Sequence, residues 1–276
     1  MEIKRHVTGR HDDDLELLKF VKENGIPYKD GGIIFSFDIY ESSKYWSFIS
    51  RYLIENDGRA TCETVFSIEE LENAEWLEIR SQWRNGYPQP ESGFKYETIT
   101  YARDNYCKEC GSGLKQIDSF RIKKEPNWGQ RCFMMLNWIP DEFFVNESTK
   151  KLLENEIDGI SFCEVKDKKG AETIPDTYQI IIPVLSFEGL IEDPEILHDA
   201  LVCPSCKIKR FHTNGRGMLT FKKDTFDNAP DMVKTAEIFG WGHSSSHNII
   251  ISGKVYKFLK ENKLDRGLVF EPIKLV

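Results

Sequence analysis

The chain has 276 residues, of which 40% are hydrophobic, 12% aromatic and 30% charged, and it carries a formal net charge of −8. This composition supports a sizeable buried core and excludes a disordered chain, while the acidic balance argues against a general nucleic-acid coat. No apolar run approaches the roughly 18 residues of a membrane span, and the opening "MEIKRHVTGRHDDD" lacks a signal peptide's apolar core.

In chain order, "DDDLELLKFVKENGIP" reads as a helix, opened by aspartates and closed by Gly25 and Pro27. A strand is expected at "GGIIFSFDIY", a helix at "SSKYWSFISRYLIENDG" and a strand at "ATCETVFS". "SIEELENAEWL" begins with a capping box, Ser67 and Glu70. "RNGYPQPESG" collects glycines, prolines and Asn85 and marks a boundary. The expected units are an acidic N-terminal α+β domain, residues 1–84, and a cysteine-bearing α+β domain, residues 94–276. Beyond the boundary, "FKYETITYA", "SFRIKKE", "RCFMMLNWI" and "TYQIIIPVLSF" read as strands. Helices and strands mix without regular alternation, so an α+β fold with mixed sheets is expected rather than a doubly wound one.

A cytoplasmic location is expected, and there seven cysteines serve as thiols or metal ligands rather than as a disulfide framework. Two CxxC pairs stand out: "CKECGSG" with Cys107 and Cys110, and "CPSCK" with Cys203 and Cys206. Thiolates separated by two residues can bind one ion, and Gly111, Gly113, Pro204 and Ser205 suit the turns involved. Four thiolates around one Zn²⁺ form a closed tetrahedral shell with no position for water or substrate, so the expected zinc is structural. Residues 111–202 separate the pairs, far more than the roughly 15–20 residues of an ordinary ribbon. Lys207 follows the second pair where Gly111 follows the first. Cys62, Cys132 and Cys163 lie among apolar neighbours and read as packing residues.

Two stretches resemble each other: "FFVNESTKKLLENEIDGISFCEV" (143–165) and "NIIISGKVYKFLKENKLDRGLVFEPI" (248–273). Each reads as an apolar strand, a polar cap, a helix, a turn with glycine and a second strand. They are either two related βαβ-like units or two amphipathic helices with similar caps.

Charge is uneven. Acids outnumber bases two to one across residues 11–97, whereas residues 203–223 hold Lys207, Lys209, Arg210, Arg216, Lys222 and Lys223 and no acid. That basic stretch is either a nucleic-acid contact or a solvated face paired with the acidic half. Phe211 and Phe221 are its only aromatics, too few for the stacking series of a single-strand binder. "GWGHSSSHN" offers His243, His247 and three serines to a hydrolase or metal reading. It has neither a nucleophile elbow nor an HExxH glutamate, and its glycines mark a loop.

The paired motifs "CKECGSG" and "CPSCK" resemble those of bacterial double-CXXCG proteins. The stretch "TAEIFGWGHSSSHNIIISGKVYKFLKENKLDRGLVFEPI" resembles the C-terminal part of immunity proteins from polymorphic-toxin loci, through Phe239, Gly240, Ile249 to Ser252, Leu259 and Phe270 to Pro272. Together these cover roughly the last 170 residues. The resemblance implies a non-enzymatic protein that binds and blocks one toxin. The expected function is therefore a zinc-containing binding protein with a protein partner. The alternatives are a zinc-ribbon nucleic-acid binder and a hydrolase using the His243–His247 loop.

Overall fold

Phe35, Phe37 and Ile39 alternate along the strand Ile34–Tyr40 and point to one face. In the computed structural model, which describes residues 1–276, that face is the floor of a separate N-terminal core. The antiparallel sheet runs Lys29–Asp30, Ile34–Tyr40, Glu2–Arg10, Arg59–Val65. Helices Leu15–Glu23 and Trp46–Glu55 cover it with Leu17, Leu18, Val21, Ile49 and Tyr52. The strand Glu2–Arg10 escapes pattern reading because only Val7 and Gly9 are buried along it; its other side chains are mostly polar and the period-2 signal is faint.

The capping box forms as expected: the Ser67 side chain accepts from the Glu70 amide and Glu70 accepts from the Ser67 amide. Its helix, Ile68–Asn73, is shorter than the apolar pattern implied. The chain then extends, and Trp76–Ser81 enters a second sheet between Ile249–Ser252 and Leu268–Pro272. A division at residues 84–94 would assign this strand to the N-terminal unit. Instead Leu77 and Ile79 bury into the main core of the C-terminal part, and the separate N-terminal core draws on residues 7–60. "FKYETITYA" is likewise not one strand. A 3-10 turn Ser92–Phe94 leads to the helix Tyr96–Thr100 and the short strand Tyr101–Ala102. Tyr96 and Thr100, four apart, both bury, which satisfies a helical face as well as an alternating one.

Two larger sheets organise the rest, with three smaller ones of two or three short strands beside them. One runs Arg121–Ile122, Ser161–Asp167, Thr173–Ile181, Ile139–Val145, Phe133–Leu136; the other runs Met232–Lys234, Ile249–Ser252, Trp76–Ser81, Leu268–Pro272. They share one core: Phe133, Phe143 and Ile180 from the first meet Leu77, Ile249 and Ile251 from the second. The outer faces are also covered, by Phe120 and Trp128 around Met134 and Phe144, and by Phe221 and Phe239 around Val233 and Ile250. Burial on both faces is why "FMML" and the three isoleucines Ile249 to Ile251 read as unbroken apolar runs. The architecture is mixed α+β, as the irregular order of elements implied.

The two look-alike stretches occupy corresponding places. Ile139–Val145 leads through the helix Glu147–Glu156 to Ser161–Asp167, and Ile249–Ser252 leads through Gly253–Glu261 to Leu268–Pro272. In both, the outer strands are parallel to each other and flank one antiparallel strand, Thr173–Ile181 or Trp76–Ser81. Asn146 and Ser252 cap the helices from corresponding positions, accepting from the amides of Thr149 and Val255. Gly159 and Gly267 then turn with φ of 81° and 80°. The inserted strand follows the first unit in sequence but precedes the second.

The N-terminal sheet docks on the turn "NGRG". Arg216 reaches both Glu41 carboxylate oxygens (2.8 and 2.9 Å), and the Arg5 guanidinium shares Glu41 Oε1 at 2.7 Å. The Thr64 hydroxyl donates to the Gly215 carbonyl at 3.0 Å and accepts from the Gly217 amide at 2.8 Å.

Candidate metal centre

Each CxxC sits at the tip of a short antiparallel hairpin. Tyr101–Ala102 pairs with Lys115–Gln116 around the first, and Leu201–Val202 pairs with Lys209–Phe211 around the second. The tips face one another. Cys107 Sγ lies 3.7 Å from Cys203 Sγ, and Cys110 Sγ lies 3.6 Å from Cys206 Sγ. All four sulfurs fall within 4.8 Å of one another; three of the cysteines are buried and Cys206 is half-buried. Such a set can hold a metal ion. The other three cysteines stay outside it, half-buried, and burial pushes the Cys163 thiol up to about 11.

The two tips have one backbone conformation. The Cys107 amide donates to the Ser112 carbonyl (2.8 Å) and the Gly111 amide to the Cys107 carbonyl (2.8 Å). In the second tip the Cys203 amide donates to the Ile208 carbonyl (2.9 Å) and the Lys207 amide to the Cys203 carbonyl (3.0 Å). Lys207 thus performs the turn that Gly111 performs, with φ of 64° against 77°.

Amides aimed at sulfur prepare it for the thiolate state. The Cys206 and Ser205 amides draw Cys203 down to about 6 against the opposing effect of burial. Cys110 is lowered too, the Ser112 hydroxyl and amide and the neighbouring thiols outweighing desolvation. Cys206 moves the other way. Although the Ile208 amide favours its thiolate, burial and the adjoining Cys110, Cys203 and Cys107 push it up to about 12. Without a cation, four thiolates at this spacing repel, so the cluster retains protons until an ion compensates the charge.

Polar groups around the cysteines come from the second hairpin itself and from one further loop. Buried Arg210, on the second hairpin, reaches across and donates to the carbonyls of Gly242 (2.6 Å), Ser244 (3.3 Å) and Cys110 (3.4 Å). In the loop "GWGHSSSHN", the Ser245 hydroxyl donates to the Cys110 carbonyl at 2.7 Å and accepts from Ser112 at 2.8 Å. The loop therefore straps the first tip. A Cβ on Gly111 would stand 2.2 Å from the His243 carbonyl oxygen, so the strap and the tip fit only with glycine there. His247 keeps its Nδ1 3.1 Å from the Glu237 carbonyl, and its amide donates to Asp141 at 3.2 Å. His243 and His247 line the same cleft beside the first tip. The strap was legible in sequence only as a glycine-serine turn, because what it holds is more than a hundred residues distant.

The basic stretch is dispersed. Arg210 is buried, Lys209 pairs with Glu192, Arg216 with Glu41, and Lys223 approaches Glu75 at 3.9 Å. The Lys207 ammonium donates to the Pro204 carbonyl at 2.8 Å. Two of these partners, Glu41 and Glu75, belong to the acidic first third of the chain. No helix is long and apolar enough to cross a membrane. In comparisons with known proteins, no family model, no curated protein and no solved structure matches the chain.

Proposed function

We propose that the chain is a non-enzymatic binding protein built around one structural Zn²⁺, and that it acts as an immunity protein, neutralising a bacterial toxin by binding it. The observation that carries the reading is the closed sulfur set. A zinc–thiolate bond of about 2.3 Å implies a tetrahedral edge of roughly 3.8 Å, close to the 3.6 and 3.7 Å separations across the tips. Four such ligands leave the ion no position for water, and the surrounding amides, serines and arginine are spent on the ligands. The ion then supplies folding energy rather than chemistry. The common layout of the two strand–helix–strand units supports reading them as a duplicated block that frames a platform for a partner. The resemblance in the cysteine motifs and the C-terminal stretch supplies the toxin-neutralising role.

The zinc-ribbon nucleic-acid reading fits less well, because most bases near the second tip are engaged within the chain. The hydrolase reading fits less well because Ser245 is committed to the Cys110 carbonyl.

The test is inspection of the gene's neighbourhood for a toxin gene, whose absence would count against the reading, followed by co-expression with that toxin. Relief of growth arrest, together with a stable complex on size-exclusion chromatography, is the expected result. A neighbouring toxin that still arrests growth and forms no complex with the purified chain overturns the reading.

A further inference from the structure

Beside the first tip lies a cleft of about 360 Å³. One wall is metal-site backbone: Gly111, Ser112 and Gly113, with the strap residues His243 to His247. The aromatic residues Tyr96, Tyr101 and Trp138 line the cleft as well. Trp138 packs against Tyr87 (4.5 Å between ring centroids), Phe94 (4.7 Å) and Tyr96 (6.1 Å, planes 23° apart), yet stays 43% exposed. Trp138 and Phe94 both hold left-handed backbone, φ 70° and 54°, a conformation unfavourable for a bulky residue. The aromatic packing keeps them there.

The floor is charged and asymmetric. Lys234 and Glu142 are buried and pair at 2.5 Å, with Gln179 donating to the other Glu142 oxygen at 3.1 Å. That pair neutralises itself. Asp141 is only 3.9 Å from Lys234, and Glu97 only 3.9 Å from Arg103. Both of these carboxylates border Tyr96 and line the cleft. Glu97 also accepts from the Tyr106 hydroxyl and Asp141 from the His247 amide, and Lys115 lines the cleft too; neither carboxylate has a lysine or arginine nitrogen closer than 3.9 Å, and both share the cleft with the rings of Tyr96 and Trp138. Carboxylates select a cation, and a flat indole face favours a planar one that stacks while its N–H groups reach the acids.

We propose that this cleft is a receptor for a guanidinium group, held between the Trp138 face and the carboxylates of Glu97 and Asp141, with the metal centre bracing one wall. The inference rests on the reading of the chain as a binding protein and names what that protein grips. An arginine side chain on a protein partner and a free guanidinium compound share this chemistry.

The experiment is calorimetric titration of the zinc-loaded chain with three probes: an arginine-containing peptide, the same peptide with citrulline in place of arginine, and methylguanidinium. Binding of the arginine peptide alone assigns the source to a protein, and binding of methylguanidinium as well extends it to small molecules. Citrulline, Trp138→Ala, and Glu97→Gln with Asp141→Asn should each weaken binding at least about tenfold. Trp241→Ala, an exposed tryptophan outside the cleft, should leave it unchanged. Chelating the metal should lower affinity if the tip braces the wall, while circular dichroism checks that each variant remains folded. Failure of both guanidinium probes to bind, or binding indifferent to the two carboxylate substitutions, overturns the proposal. Rescue from a toxin without any guanidinium binding would remove this cleft inference and leave the binding function standing. Guanidinium binding without rescue would do the reverse.

Discussion

Lys207 and Gly111 occupy the same place in the two cysteine tips, and both donate their amides to the carbonyl of the first cysteine, at 3.0 and 2.8 Å. Both are left-handed. Glycine enters that region freely, whereas an L-residue costs about 1–2 kcal/mol. The two positions should therefore answer oppositely to substitution. Lys207→Gly should raise the thermal midpoint or leave it unchanged, since the relieved strain is partly offset by a freer unfolded chain. Gly111→Ala should lower it and weaken metal retention, because the new methyl meets the His243 carbonyl. Thermal melts of the metal-loaded variants check both; a stabilised Gly111→Ala protein would contradict the strap geometry.

Elemental analysis should find one zinc per chain. Cys203→Ser should abolish tight binding, because three thiolates and a water make a weaker, open site. Zinc retained at full occupancy and affinity by that variant would rule out the four-cysteine assignment.

Chelation should act unevenly along the chain. A metal held by the four cysteines would join tips separated by residues 111–202, a closure on the order of 4 to 5 kcal/mol by analogy with a disulfide. The N-terminal core, with Val7, Phe35 and Leu17, shares no residue with the cysteine cluster. Hydrogen exchange after chelation should show lost protection at both tips, the strap and Tyr96–Thr100, while Glu2–Arg10 and Ile34–Tyr40 stay protected. Uniform loss would contradict this independence.

Glu78 gives a pH signature. Burial, reinforced by the nearby Glu271 carboxylate, raises it from 4.5 to about 7, despite Arg80 and the Asn248 amide. Its folded value lies above its ordinary one, so the folded state binds the extra proton. The stability from that proton is fully present below about 4.5 and disappears as pH rises through about 7. Glu78→Gln should accordingly stabilise the protein at pH 8, on the order of a kcal/mol for each pKa unit, with the gain vanishing near pH 4. Equal gains at both pH values would show that charge is not the cause.

Nucleic-acid binding should be weak, with dissociation constants no tighter than about micromolar at roughly 150 mM salt. The informative substitutions are Lys209→Ala with Lys222→Ala, since removing buried Arg210 would unseat the first tip and the strap instead. Submicromolar binding to duplex DNA that these two substitutions remove would favour the zinc-ribbon alternative over the immunity reading.

Local chemistry determined a definite part of this protein. The Ser67–Glu70 capping box, the caps at Asn146 and Ser252, the alternating strand Ile34–Tyr40 and the doubly buried runs at Phe133–Leu136 and Ile249–Ser252 follow from period, caps and side-chain type within a few residues. The candidate ligand set Cys107, Cys110, Cys203 and Cys206 is equally local, because two thiols separated by two residues already offer half a metal site. Only tertiary structure decided what depends on distant partners. Trp76–Ser81 could join either unit until its hydrogen bonds to Ile249–Ser252 and Leu268–Pro272 formed. Lys207 takes a glycine's backbone because the second tip must present its sulfurs to the first. Ser245 and Arg210 converge on the Cys110 carbonyl from sequence separations of 135 and 100 residues. The aromatic cluster around Trp138, which lines the cleft, gathers Tyr87, Phe94 and Tyr96 from a separate stretch. Such contacts carry no periodicity; they arise when sheets sharing a core bring remote loops to the same edge.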